Sequence, residues 1–275
     1  MLKHDAMTFA PAAVARSLSS AMDGLGKPFI MSTPTLRQWL HQRPFTLTMS
    51  SGFFSFFAHC GVVSVLEEEG LFPARITGSS SGAMIGAGWA AGCSAQLLRD
   101  FTFSLRKEDF WDPGLGLGLL RGRQFRRLIG QIAPVQRLEK CPIPLTVSVY
   151  DILARQTVAV SQGPLSELVY ASCAMPGFFQ PVRINGRFYA DGGIQDRPGL
   201  ASVADGERVF YHHIASRSPW RRKNSPSLRI PQRDNMVTLA VPNLTRANPN
   251  ALENGRLAFA QARKALQQAL DKPAN

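Results

Sequence analysis

The chain has 275 residues, 45% of them hydrophobic, and a formal net charge of +12. That apolar fraction supports a sizeable core and excludes a disordered polycation, and the absence of any apolar run of about 18 residues excludes a membrane-spanning helix by that test. Cys60, Cys93, Cys141 and Cys173 stand apart, without Cys-x-x-Cys or metal-ligand spacing, so free thiols and no metal are expected. In chain order, residues 1–44 read as an N-terminal extension in which Val14, Leu18 and Met22 share one face of a short helix. Pro11 and Arg16 break its apolar patch, which makes a poor secretory leader, and a cytoplasmic protein is expected. Residues 44–49 (PFTLTM) read as a buried strand, 53–69 as a helix ended by Gly70, 73–78 as a second strand, and 80–92 as a helix dense in small residues. A helix over 95–107 follows, then the glycine-rich connector 112–120 (DPGLGLGLL) and a helix near 122–131. Strands are predicted at 143–151 and 156–160, and a helix that stops at Pro176. The next element is a hairpin turning on Asn185-Gly186, a strong two-residue turn signal. The strands ERVFYHHIA and NMVTLAV and a closing helix near 253–271 complete the pattern. Strand–helix alternation over residues 45–275, without repeat or linker, predicts one α/β domain with a sheet covered on both faces.

The positive charge is uneven. One cluster is Arg121, Arg123, Arg126 and Arg127; another is the loop holding Arg217, Arg221, Arg222, Lys223, Arg229 and Arg233. Such clusters are either a solvated basic face or a contact for an anionic partner. An anionic membrane surface is favoured over nucleic acid, because no nucleic-acid motif accompanies the charge.

The first motif with chemistry is Gly78-Ser79-Ser80-Ser81-Gly82, with Ser80 in the nucleophile register of G-x-S-x-G. It lies where a strand-like segment meets a helix, so a sharp turn can expose the hydroxyl beside the positive end of the helix dipole. A serine-capped helix gives the same letters. A serine hydroxyl needs a base, and two candidates stand downstream: Asp191 in FYADGGIQDRP, and His212 or His213 in VFYHHIASR. Spacing alone does not choose between them. A histidine within a buried strand is commonly a core residue, and Asp-Gly-Gly after a strand is commonly only a turn.

Three blocks in order, LTMSSGFFSFFAHCGVVSVLEEEGL (47–71), ITGSSSGAMIGAGWAAG (76–92) and ASCAMPGFFQPVRINGRFYADGGIQDRP (171–198), resemble the patatin-like phospholipases over residues 45–215. The resemblance implies a three-layer α/β/α sandwich with a mostly parallel sheet. It also implies a Ser–Asp dyad without histidine, in which Ser80 is the nucleophile and Asp191 the general base. The implied reaction cleaves an acyl ester of a lipid through an acyl-enzyme and requires no cofactor or metal. The basic clusters would then hold the protein peripherally on an anionic membrane. His59, His212 and His213 become structural.

The departure from that family lies in Ser50-Ser51-Gly52-Phe53-Phe54-Ser55-Phe56-Phe57. The family's oxyanion loop resembles Gly-Gly-Gly-x-(Arg/Lys)-Gly. Here Ser51-Gly52-Phe53-Phe54-Ser55-Phe56 aligns with it, so two leading glycines, the basic residue and the last glycine are replaced. Oxyanion donors are backbone amides and do not require glycine as such. Those of Gly52 and Phe53 are the candidates, at the start of the following helix, with Gly52 in the position that most needs positive φ. Phe53, Phe54 and Phe56 are candidates for the wall of an acyl pocket, and DPGLGLGLL for a lid. Beyond the phenylalanines the segment is apolar all round, which predicts a buried central helix. Two other readings follow from the same residues: an esterase using His213 as the base for Ser80, and a catalytically impaired patatin-fold protein that binds lipid or protein.

Overall fold

The computed structural model describes residues 33–215 and 225–274. Val14, Leu18 and Met22, and the basic residues Arg217, Arg221, Arg222 and Lys223, lie outside the described residues. The compact unit runs over Pro34–Asn275. It therefore begins before the expected boundary at 44/45, which falls between helix α1 (Leu36–Gln42) and strand β1 (Thr46–Met49). Thr35 caps α1 in a reciprocal box with Gln38. Leu36 and Leu40 are buried, and Arg37 pairs with Glu69 and Asp271 near the far end of the chain. At seven residues this helix is too short for its apolar positions, Leu36, Trp39 and Leu40, to establish a readable period.

The core strands are β1, β2 (Arg75–Ser79), β4 (Leu145–Asp151), β9 (Val209–His213) and β10 (Met236–Ala240). With β7 (Val182–Ile184) and β8 (Arg187–Asp191), the sheet runs β10-β9-β1-β2-β4-β8-β7. Its pairings from β10 through to β4 are all parallel. Near-continuous burial of β1, β2 and β9 is what a parallel sheet covered on both faces demands. The antiparallel part consists of β5 (Gln156–Val160) on β4, and the hairpin β7 (Val182–Ile184)–β8 (Arg187–Asp191) around Asn185-Gly186. This is the three-layer, mostly parallel α/β architecture expected. Two short strands went unforeseen: β3 (Gly118–Leu120) in the glycine-rich connector pairs in parallel with β6 (Gly177–Phe179). Three residues each carry too little periodicity to be read from sequence.

The predicted helices are present as α2 (Phe56–Glu68), α3 (Ser81–Ala90), α4 (Ala95–Ser104), α5 (Arg123–Ile132), α6 (Leu165–Cys173) and α7 (Asn254–Leu270). Every residue of α2 from Phe56 to Leu66 is buried, against α3, α4 and α7. Its apolar surface in all directions thus reports a central helix.

The register around β4 sets the geometry of everything downstream. β2 runs parallel to the first half of β4 and ends with Ser79 opposite Ser148. β8 runs antiparallel to the second half and ends with Asp191 opposite Val149. Two strands distant in sequence thus arrive from opposite directions and stop at adjacent residues of one strand. Because α1 belongs to the compact unit, Leu40→Ala should destabilise the protein by about 2–5 kcal/mol, as for other fully buried leucines, measured by urea unfolding.

Candidate active site

Ser80 sits between the last residue of β2 and the first of α3 with φ 53° and ψ −120°. For a residue with a Cβ this backbone costs on the order of 1–3 kcal/mol and persists only where its surroundings impose it. The flanking glycines allow the turn: a Cβ on Gly82 would come within 2.1 Å of the Met49 carbonyl oxygen, and one on Gly78 within 2.7 Å of the Ala83 nitrogen. The Ser80 N–H donates to the Ser172 hydroxyl at 2.9 Å, which in turn donates to the Ser148 carbonyl at 2.7 Å. The turn is therefore tied to β4 through α6.

The Ser80 hydroxyl donates to Asp191 Oδ2 at 2.8 Å. The other carboxylate oxygen accepts the Gly193 N–H at 2.7 Å, and the Asp191 N–H donates to the Ala174 carbonyl. Asp191 is 7% exposed. Its carboxylate is thus held by its own Asp-Gly-Gly turn and aimed at one hydroxyl. Of the two bases that the spacing left open, the geometry joins Asp191 to Ser80. His213 instead meets the Tyr211 hydroxyl through Nδ1 at 2.9 Å and does not line the cavity that holds Ser80. The Ser80–His213 alternative therefore lacks its central contact.

His59 and His212 form a separate buried pair. The His59 Nε2 lies 2.8 Å from the Ser50 carbonyl, and the two Nδ1 atoms are 2.8 Å apart. A carbonyl only accepts, so His59 carries its proton on Nε2 and accepts on Nδ1 from His212 Nδ1–H. Burial holds both rings neutral, lowering His59 to about 3 and His212 well below its ordinary value. The pair supports the strand end that leads into the Ser51–Phe54 loop.

That loop differs from its expected form. Gly52 is not left-handed; Phe54 is, with φ 54°. The Gly52 carbonyl accepts the Ser55 N–H at 3.2 Å, closing a tight turn that normally places glycine at its third residue. The helix consequently starts at Phe56, with Ser55 at the N-cap position but making no side-chain capping bond, and not at 53. Gly52 is needed for space: a Cβ there would come within 2.4 Å of Ser55 Oγ and 2.9 Å of Ile214 Cγ2. The Ser51 N–H donates to the Arg197 carbonyl, and the Ser51 hydroxyl to Ser79 Oγ at 2.8 Å, which pins the loop beside the serine turn.

Ser80 and Asp191 share a cavity of about 340 Å³ with Gly52, Phe53, Phe54 and Phe56. Its volume lies in the range of small-molecule sites, and its lining is mostly apolar. Phe53 packs edge-on against Phe54 and Phe178, and Phe54 lies tilted against Phe56 and Phe110. Phe57 faces the core instead, near Phe103. Ile194, which also lines the cavity, is 37% exposed. Sequence reading did not find Ser172, Ser81, Cys173 or Arg197. The Ser81 hydroxyl is buried without a partner, and the Cys173 thiol is pushed up by burial and by the Asp191 charge. Arg197, 2% exposed, donates to the Ile214 carbonyl at 2.6 Å and is the cation among the cavity's described lining residues. It came from an Asp-Arg-Pro that no local pattern marks as special.

Residues 47–203 match the family model described as patatin-like phospholipase. The chain belongs to that family. The matched span includes the Ser51–Ser55 loop, Ser80 and Asp191. An uncharacterized NTE family protein of Mycobacterium tuberculosis is 35% identical over 162 residues, 58% of this chain and 45% of the relative. A second from that species is 28% identical over 168 residues, 59% and 29% respectively. The match thus spans less than half the length of these relatives. Among solved structures, VipD from Legionella pneumophila is similar with a TM-score of 0.55 and 15% identity, covering 82% of this chain and 67% of that one. This is a likeness of fold. Among the described residues, no helix of this patatin-like chain is long and apolar enough to cross a membrane, and no group of His, Cys, Asp and Glu could hold a metal ion.

The buried histidines carry a pH dependence. Folded-state values below the unfolded value near 6.5 mean that unfolding takes up protons, so stability is full above that value and falls as the pH drops. His213 is lowered to about 4, again by burial. Between roughly pH 6.5 and 5 each histidine should lower unfolding free energy by up to about 1.4 kcal/mol per pH unit. Urea midpoints across that interval should slope accordingly, and the slope should flatten in His59→Asn/His212→Asn.

Proposed function

We propose that this protein is a lipid acyl hydrolase of the phospholipase A or lysophospholipase type, working through Ser80 and Asp191 without histidine, metal or cofactor. The observation that carries the reading is the 2.8 Å hydrogen bond from a strained serine hydroxyl to a buried carboxylate within an apolar cavity. In this mechanism the Ser80 Oγ attacks the acyl carbonyl carbon while Asp191 Oδ2 takes its proton. The resulting oxyanion is stabilised by backbone amides of the Gly52–Phe53 turn. Collapse breaks the C–O bond of the leaving alcohol, which recovers the proton from Asp191, and leaves the acyl group on Ser80. Water, deprotonated by the same carboxylate, then attacks the acyl carbon; the bond to Ser80 Oγ breaks, Asp191 returns the proton to that oxygen, and the fatty acid is released.

Each surrounding feature has a place in this scheme. Gly193 fixes one carboxylate oxygen so that the other faces the serine. Phe53, Phe54 and Phe56 form part of an aromatic wall suited to an acyl chain, whose burial is favoured by about 0.8 kcal/mol per methylene. The basic residue missing at Ser55 leaves no cation in the loop, but Arg197 supplies positive charge to the same cavity. The basic clusters support a peripheral position on an anionic membrane, where the proposed substrate resides. A catalytically impaired binding protein would keep this cavity without turnover.

A fluorophosphonate should label the native protein and leave Ser80→Ala unlabelled. Ser80→Ala should lower kcat on a short-chain ester by at least about 10³-fold, and Asp191→Asn by about 10²–10⁴-fold. Gly52→Ala should cost about 10²–10³-fold by displacing the oxyanion turn, with circular dichroism unchanged in all three. Folded native protein that neither labels nor turns over ester establishes the binding-protein reading instead.

A further inference from the structure

The connector expected to be a lid is a hairpin, and none of residues 112–120 lines the cavity. Its strands meet through Arg121 N–H to the Asp112 carbonyl at 2.9 Å and Gly114 N–H to the Leu119 carbonyl at 3.1 Å. Its tip carries Leu115 and Leu117, 99% and 81% exposed, and neither lines the cavity around Ser80. Leu119 is 48% exposed on the same hairpin. Leucines so exposed on a braced hairpin have no role in the protein's own core.

The hairpin is anchored to the wall of the catalytic cavity at both ends. Before it, Trp111 packs edge-on against Phe178 with ring centres 6.2 Å apart. After the tip, β3 pairs with β6, placing Leu120 opposite Phe179. Phe178 and Phe179 both line the cavity that holds Ser80. The Gln180 side-chain amide also donates to the Leu115 carbonyl at 2.8 Å.

Beside the tip is a second, polar cavity lined by Leu115, Arg121, Arg123, Arg126, Gln180, Pro181, Val182 and Arg183. Four of these eight residues are arginines and none is acidic. Arg126 has a partner, Glu167 at 3.5 Å. The nearby Asp112 carboxylate is occupied, accepting the N–H groups of Gly122, Arg123 and Gln124 at the start of α5. Arg123 and Arg183 are exposed.

We propose that this hairpin and its arginine cavity are the membrane-docking surface of the protein: Leu115 and Leu117 enter the acyl region while Arg121, Arg123 and Arg183 hold phosphate groups of anionic phospholipids. Two features argue for a bilayer over a protein partner. Apolar tip and cationic cavity are contiguous, as acyl chains and phosphates are in a lipid leaflet. The surface also adjoins the cavity into which an acyl chain must pass. An arginine fork suits phosphate oxygens better than a lysine point charge would. The proposal rests on the reading of the substrate as a membrane lipid, and its test does not depend on turnover.

The test is sedimentation of full-length Ser80→Ala protein with vesicles of phosphatidylcholine alone, or of phosphatidylcholine with phosphatidylglycerol. Binding should be strong only to the anionic vesicles. Arg123→Gln/Arg183→Gln should weaken it about 25-fold, the equivalent of ~1 kcal/mol for each arginine near the surface. Leu115→Ser/Leu117→Ser should weaken it by about tenfold or more. In the Ser80-intact background, both double variants should hydrolyse a soluble short-chain ester like the native protein but lose activity on vesicles. Native-like vesicle binding by both double variants overturns the proposal. So does equal binding to neutral vesicles, or native protein that ignores vesicles yet binds added inorganic phosphate, with that binding lost in Arg123→Gln/Arg183→Gln. Vesicle binding of this kind without fluorophosphonate labelling would uphold the docking surface and reject the hydrolase.

Discussion

The site depends on one constraint: two strands end on the same strand. β4 takes β2 in parallel along its first half and β8 antiparallel along its second. Ser79 and Asp191 therefore stand opposite neighbouring residues, Ser148 and Val149. The ladder hydrogen bonds of a sheet fix such a register against one-residue slips, because a slip would turn every buried side chain to the other face. The Ser80–Asp191 contact bridges 111 positions of sequence and inherits the rigidity of the sheet centre. Neither side chain needs a flexible loop to find the other.

Around that junction, local strain is offset by bonds to rigid elements. The unusual backbone of Ser80 is held through Ser172 to the Ser148 carbonyl, and the Asp191 carboxylate by the Gly193 amide. The left-handed Phe54 is embedded among Phe53, Phe56 and Phe110. An aromatic pair contributes about 0.5–1.5 kcal/mol beyond its buried area. Several such pairs can therefore sustain a conformation that glycine would adopt freely. This is how a loop with a single glycine keeps a tight turn: packing replaces the conformational freedom that extra glycines supply elsewhere.

The same aromatic wall joins the interior to the surface. Phe53 touches Phe178, Phe178 touches Trp111, and Trp111 begins the hairpin whose tip exposes Leu115 and Leu117. Chemistry and proposed docking thus share one continuous packed structure. A lipid held by the arginines would have its acyl region beside the cavity that contains the serine. The charge that made an anionic partner plausible from composition alone is gathered, in the proposed docking surface, at the start of α5 and on β7.

Much of this was legible in the residues. The strand–helix alternation, the Gly-x-Ser-x-Gly turn, the Asn-Gly hairpin and the all-round apolar α2 follow from local rules of periodicity and backbone sterics, so the chain alone determined the fold class and the nucleophile register. Spacing could not choose between Asp191 and His213, and Asp191 came only from the resemblance, because the contact itself is made by strand order: β8 ends on β4 beside Ser80, whereas β9 lies on the other side of β1. The sequence also misplaced the start of α2 and the positive φ, since the left-handed Phe54 stands in a turn packed against rings that include Phe110, far away in the chain. The three-residue strands β3 and β6 exist only as each other's partners. What the sequence determined by itself was whatever depends on residues a few positions apart. The partner of Ser80, the setting of Arg197 and the exposure of the hairpin leucines were decided by tertiary structure, because each depends on contacts between segments that only the folded sheet brings together.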